Sequence, residues 1–106
     1  MSEDHVTTRI ENRVGVLTIN RPATLNALDM ATLDALETKF AALEADASVH
    51  VIVLTGAGDR AFVAGGDIAD LNSRQGLAHY LDFAEVIHRV FRRIELSDKP
   101  TISAIN

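Results

Sequence analysis

The feature that most constrains the fold of this 106-residue chain is an apolar run that leads directly into a glycine-rich loop. Residues 51–54 read Val-Ile-Val-Leu, the pattern of a buried strand, and Gly56 and Gly58 then end the strand. The loop continues to the pair Gly65-Gly66, after which a helix is predicted to begin. A glycine pair before a helix N-terminus leaves several backbone N–H groups unpaired at one point. The sequence therefore predicts a site that can receive negative charge, either fixed or developing in a reaction.

Strand patterns precede this loop. Residues 6–11 and 14–20 are predicted to form a hairpin across a tight turn at Asn12-Arg13, although the turn lacks the usual glycine. Pro22 ends the second strand because it has no N–H to donate to a sheet. The chain thus opens with a two-stranded antiparallel unit.

Helix and strand then alternate. Asp29 is a candidate N-cap of a helix that should end near Ala45-Asp46. Apolar side chains three or four residues apart form the predicted buried face of this helix: Met30, Leu33, Leu36, Phe40 and Leu43. A strand over residues 49–55 follows. This order favours an α/β fold with helical crossovers.

The second half is predicted to hold a short helical turn over residues 67–71 and a long helix over about residues 75–96. The buried face predicted for the long helix comprises Leu77, Tyr80, Leu81, Ala84, Ile87, Phe91 and Ile94. Pro100 separates this helix from a last strand over residues 101–105. The three apolar strands 14–20, 49–55 and 101–105 form a faint internal repeat.

Composition excludes several classes of protein. The chain has 47% hydrophobic and 24% charged residues, which are ordinary values for at most one globular domain. Its net charge of −5, with scattered basic residues, argues against a nucleic-acid partner. It has no cysteine, so thiol catalysis is excluded. No apolar run approaches the roughly 20 residues that span a bilayer, and the N-terminus does not look like a signal peptide. A cytoplasmic protein without a membrane partner is expected.

Three motifs resemble those of the enoyl-CoA hydratase/isomerase (crotonase) superfamily. They are Arg-Pro-x-x-Leu-Asn-Ala-Leu at residues 21–28, Ala-Phe-x-Ala-Gly-Gly-Asp-Ile at residues 61–68 and Lys-Pro-Thr-Ile-Ser-Ala-Ile-Asn at residues 99–106. Each alone is weak, but together and in family order they are specific. The resemblance covers the N-terminal part of the family domain. It implies that residues 1–106 form an incomplete domain, the N-terminal portion of a crotonase-like spiral of ββα units.

The resemblance also implies a chemistry. In the family, an acyl-CoA thioester is converted to an enolate, which two backbone N–H groups stabilise. Gly66 has the position of one donor. The residues whose positions imply contact with the substrate are Ala23, Thr24, Leu25, Ala64, Gly65, Asp67 and Ile68. The implied enzyme is a lyase or isomerase of fatty acid metabolism, with enoyl-CoA hydratase as the default. No cofactor is implied, since acyl-CoA is the substrate, and the complete domain would form a homo-oligomer, a trimer or a hexamer.

Some positions depart from the family pattern or have another interpretation. Several relatives place lysines near the CoA phosphates where this chain has Ala23 and Ala69. Arg21 lies nearby, but it could equally be a solvated surface charge. Asp67 is also a candidate N-cap, with its side chain pointing away from the developing negative charge. The four histidines have no spacing typical of a metal site: His5, His50, His79 and His88.

Two alternatives stay open. In the family, the second backbone donor follows the strand that here ends at Ile105-Asn106, and the acid and base carboxylates lie still further along. Residues 1–106 alone are therefore expected not to catalyse hydration, and a noncatalytic crotonase-like scaffold is one alternative. The other is a dinucleotide-binding unit, because Gly56-x-Gly58-x-x-Ala61 imitates that fingerprint. The residues after Ala61 are, however, a poor helix start.

Overall fold

The computed structural model describes residues 4–67 and 77–106. It is an α/β structure, as predicted, with a four-stranded sheet and two main helices. The strands are β1 (Val6–Glu11), β2 (Val14–Ile19), β3 (Val51–Gly56) and β4 (Thr101–Ala104), and the helices are α1 (Met30–Ala45) and α2 (Leu77–Glu95). A short 3₁₀ helix occupies Pro22–Thr24. The predicted turn over residues 67–71 extends outside the described residues.

The sheet has the order β1-β2-β3-β4. β1 and β2 are antiparallel, whereas β2, β3 and β4 are parallel neighbours. The predicted hairpin is confirmed: Asn12 and Arg13 have φ values of 51° and 67°, the left-handed pair that a tight hairpin turn requires. The faint repeat in the sequence corresponds to these three parallel strands, which the helices connect as crossovers.

Helix α1 follows its sequence pattern closely. Thr32 N donates to the Asp29 side chain at 2.8 Å, so the predicted N-cap is confirmed. At the other end, Lys99 Nζ donates to the carbonyl oxygens of Leu43 at 3.0 Å and Asp46 at 2.7 Å. A lysine from the third motif thereby adds a charged donor to two carbonyls at the helix end, which also accept from Asp46 N and Val49 N. The predicted apolar face is buried at Leu33, Leu36, Phe40 and Leu43.

Helix α2 turns a different face to the core from the one predicted. Its buried residues are Phe83, Val86 and Val90, which pack into the core cluster with α1 and the sheet. Most of the predicted face is exposed, namely Leu77, Tyr80, Leu81, Ala84 and Phe91, while Ile87 and Ile94 are partly buried. The prediction was wrong because the apolar side chains of the helix cover one wide arc, and spacing alone cannot tell which part of that arc meets α1.

The core lies between the two helices and one face of the sheet. Along β2, Gly15, Leu17 and Ile19 point into the core, as the alternation predicts. Val49 is buried just before β3, which begins at Val51 rather than at residue 49. No helix in the described part of the chain is long and apolar enough to cross a membrane.

Candidate functional site

The first two motifs meet beyond the carboxyl end of β3. Ala64 N donates to Leu25 O at 3.1 Å, and Leu28 N donates to Gly65 O at 2.7 Å. Asp67 N then donates to Leu28 O at 2.8 Å, so Leu28 and Gly66 form an isolated parallel bridge. The structure therefore brings the two predicted substrate-contacting segments side by side.

This bridge fixes the direction of the proposed oxyanion donor. Gly65 C=O and Gly66 N–H belong to one trans peptide, which is planar, so the two groups point in opposite directions. Because Gly65 C=O is bonded to Leu28 N, Gly66 N–H points away from the first motif. It donates to none of the residues that the structure describes. Gly65 itself has a φ of 129°, a conformation that only glycine adopts readily.

Arg21 lies behind this donor and is largely buried, with 13% of its side chain exposed. Its Nη1 donates to Ala27 O at 2.6 Å and to Asp67 Oδ2 at 3.0 Å, and its Nη2 lies 3.5 Å from Asp29 Oδ2. The interpretation of Arg21 as a solvated surface charge was thus wrong. The Asp67 carboxylate lies against this guanidinium. Whether Asp67 also caps a helix depends on residues outside the described part.

The carboxylate of Asp29 is held ionised by its surroundings. Burial raises the pKa of Asp29, but hydrogen bonds from Thr32 and the charge of Arg21 outweigh burial, so the net pKa lies below its ordinary value of 3.8. Asp29 caps α1 and also contacts Arg21. The start of α1 is in this way tied to the glycine loop.

Asn26 is a residue of the site that the sequence analysis did not single out. It is fully buried, with a φ of 59°. Its Oδ1 accepts from Arg21 N at 2.8 Å, and its Nδ2 donates to the carbonyl oxygens of Ala57 and Ala61, both at 3.0 Å. Asn26 thereby connects the first motif to the loop that follows β3. The available signal was an asparagine between apolar residues, since asparagine tolerates the left-handed conformation.

The remaining residues that are predicted to contact the substrate lie at the protein surface. Ala23 and Thr24 are exposed at the 3₁₀ helix, and Leu25 is partly exposed with a φ of 56°. Ala64 is exposed beside them. Ile68 and Ala69 lie outside the described residues. An apolar pocket of about 280 Å³, open to the surface, lies between the sheet and α2, but none of residues 64–67 lines it.

The dinucleotide alternative was wrong. A dinucleotide fingerprint needs a helix that starts within its glycine segment, and residues 57–67 contain no helix. No cluster of three or more His, Asp or Glu side chains that could hold a metal ion occurs in residues 4–67 and 77–106. His50 contacts Arg13 at 3.2 Å, and His88 is exposed on α2.

Comparison with known proteins gives the family. The model of the enoyl-CoA hydratase/isomerase family matches residues 9–106. The chain belongs to this family. A short-chain-enoyl-CoA hydratase of Clostridium acetobutylicum is 40% identical over 106 residues, and a crotonyl-CoA hydratase of Syntrophomonas wolfei is 36% identical over 106 residues. All of this chain is covered in both comparisons, together with 40% of each relative.

The fold agrees with this family membership. The crystal structure of an enoyl-CoA hydratase from Bacillus anthracis matches with a TM-score of 0.91 at 26% identity. The match covers 97% of this chain and 40% of that one. The chain thus spans about 40% of the length of these enoyl-CoA hydratase relatives and has the corresponding part of the crotonase fold.

Proposed function

We propose that the protein is an acyl-CoA thioester-binding enzyme of the crotonase type, an enoyl-CoA hydratase. The observation that carries the proposal is the Gly66 N–H, a backbone donor that points away from the first motif and bonds to no described residue. Membership of the enoyl-CoA hydratase/isomerase family supports the choice of substrate. No cofactor is needed in addition to the acyl-CoA substrate.

The proposed reaction adds water across the carbon–carbon double bond of an enoyl-CoA. As the oxygen of water bonds to the β-carbon, water gives up one proton to the proposed base and electrons move onto the thioester oxygen. The α-carbon then takes a proton from the proposed acid, and the thioester C=O re-forms at that oxygen. Gly66 N–H is proposed to donate to that oxygen as its negative charge develops. One such donor typically contributes about 2.7–4 kcal/mol. The second donor and the acid and base carboxylates are proposed to lie beyond residue 106.

The substrate is proposed to lie along the two joined motifs. The CoA arm would contact Ala23, Thr24 and Leu25, and the loop over residues 62–68 would contact the adenine and thioester ends. Within that loop the contacts would come from Ala64, Gly65, Asp67 and Ile68. Ala23, Thr24, Leu25 and Ala64 are exposed, and the hydrogen bonds between the two segments would hold these residues side by side. A homo-oligomer, trimeric or hexameric, is proposed for the complete domain.

The test is hydration of crotonyl-CoA by the full-length protein, followed through loss of the enoyl thioester absorbance. Gly66→Pro removes the N–H and should lower kcat by about 10²–10³. Gly66→Ala is the matched control, because it keeps the N–H, and should retain most of the activity. Unchanged turnover in a folded Gly66→Pro variant would contradict the assignment of the donor. A wild-type protein that binds CoA without hydrating crotonyl-CoA would favour the noncatalytic scaffold instead.

A further inference from the structure

A continuous chain of hydrogen bonds runs from Arg21 to the proposed oxyanion donor. Arg21 Nη1 donates to Ala27 O at 2.6 Å. Ala27 C=O and Leu28 N–H belong to one peptide group, and Leu28 N donates to Gly65 O at 2.7 Å. Gly65 C=O and Gly66 N–H belong to the second peptide group in this series of hydrogen bonds. Two planar trans peptides therefore connect the guanidinium to Gly66 N–H.

We propose that Arg21 is a positioning residue that acts through these two peptides on Gly66 N–H. The inference rests on the hydratase function proposed above. Each peptide group is rigid and planar. Fixing Ala27 O therefore fixes the direction of Leu28 N–H, and fixing Gly65 O fixes the direction of Gly66 N–H. Arg21 holds the first oxygen, and the first N–H holds the second oxygen. The direction of Gly66 N–H is thereby set from Arg21, whose guanidinium contacts Ala27 O, Asp67 and Asp29.

The surroundings of Arg21 make it suited to this role. Its guanidinium is pinned from two further sides by Asp67, at 3.0 Å, and by Asp29, at 3.5 Å. Asp29 is itself fixed as the N-cap of α1, and Asp67 directly follows Gly66. Arg21 thus transmits the position of the α1 N-terminus to the glycine loop. Hydrogen bonds in such a chain also polarise one another, which strengthens the last donor.

The test compares Arg21→Met with Arg21→Lys in the full-length protein. Arg21→Met removes the donor to Ala27 O and should lower kcat about tenfold, while KM for crotonyl-CoA changes little. This loss of kcat is smaller than the loss of about 10²–10³ expected when the Gly66 donor itself is deleted. Arg21→Lys keeps a charged donor and should recover most of kcat. Arg89→Met is the matched control, since Arg89 pairs with Glu37 between the helices and is remote from the loop. It should leave kcat unchanged.

Two further readouts separate positioning from a loss of stability. In the Gly66→Pro background, Arg21→Met should cause no additional loss of kcat, because the group through which it acts is gone. The amide proton resonance of Gly66 should shift in Arg21→Lys and, more strongly, in Arg21→Met, but not in Arg89→Met. Additive losses of kcat, or an unshifted Gly66 resonance in a folded Arg21 variant, would overturn the proposal. A wild-type protein without hydratase activity would instead overturn the proposed function, while the resonance would still test the chain of hydrogen bonds.

Discussion

The side-chain amide of Asn26 lies 2.7 Å from the point where a Cβ on Gly56 would stand. The carbonyl oxygens of Phe62 and Ala61 lie 2.1 Å and 2.9 Å from the same point. Real Cβ atoms do not approach other atoms so closely, and two of these three neighbours are backbone. Only glycine fits at the end of β3, because Asn26 from the first motif and the backbone of residues 61–62 both pack against it.

Gly56→Ala should destabilise the protein by about 1–3 kcal/mol or more, since the backbone at residues 61 and 62 would have to move. Gly15→Ala is a matched control. A Cβ at Gly15 would meet side-chain atoms of Leu43 at 3.0 Å and Val49 at 3.1 Å, and these can shift more easily. Urea unfolding of both variants measures the difference. Equal losses of stability would contradict the packing described here.

Asn26→Leu should remove three hydrogen bonds at once. It leaves Arg21 N and the carbonyl oxygens of Ala57 and Ala61 without this partner in a partly buried place, at up to about 1–3 kcal/mol for each group that water does not reach. Asn20→Ala is the control, because Asn20 Nδ2 makes a single exposed bond to Asp4 O at 3.2 Å. Thermal unfolding should show a large loss for Asn26→Leu and a shift within about 0.5 kcal/mol for Asn20→Ala.

The orientation of α2 can be tested at two residues on opposite faces. Phe83 is 7% exposed and Leu81 is 56% exposed. Phe83→Ala should cost about 3–5 kcal/mol, as for a buried ring, whereas Leu81→Ala should cost less than about 1 kcal/mol. Equilibrium unfolding of residues 1–106 measures both. A larger loss for Leu81→Ala would mean that the face predicted from the sequence is the one that packs.

Acid should weaken the tie between α1 and the glycine loop. Because the pKa of Asp29 is lowered in the folded state, its contribution to stability is complete above its unfolded pKa, near 3.8, and is lost as pH falls through the folded pKa. Asp29→Asn keeps an N-cap but should flatten this part of the pH dependence. Unfolding free energies measured from pH 6 to pH 2 provide the check, with the exposed Asp59→Asn as control. An unchanged slope in Asp29→Asn would contradict the assignment.

Residues 1–106 expressed alone should not hydrate crotonyl-CoA. They hold one proposed backbone donor, and the carboxylates of Asp29 and Asp67 both contact Arg21. A second donor typically raises the reaction rate by a factor of about 10²–10³. Positioned proton transfer typically raises it by a further factor of about 10²–10⁴. Hydration well above the uncatalysed rate, lost in Gly66→Pro, would require a catalytic residue among those present.

Local patterns were sufficient for the elements and for the family. The hairpin, the Asp29 cap and the buried face of α1 depend on side chains within a few residues of one another, so the sequence contains them directly. The three motifs fixed the expected fold and the position of Gly66 for a similar reason. Each is a continuous segment, and their order along the chain is visible without coordinates.

The tertiary structure alone decided the roles of Arg21 and Asn26 and the packing of α2. Arg21 reaches Asp67 across 46 positions, and Asn26 reaches Ala61 across 35, so no local spacing predicts either contact. On α2 the apolar side chains cover one wide arc, and ion pairs from Arg89 to Glu37 and from Arg93 to Glu44 accompany the packing of one edge of that arc. Such long-range contacts form only when the sheet brings distant segments together, because burial and hydrogen bonding depend on what lies opposite a residue in space.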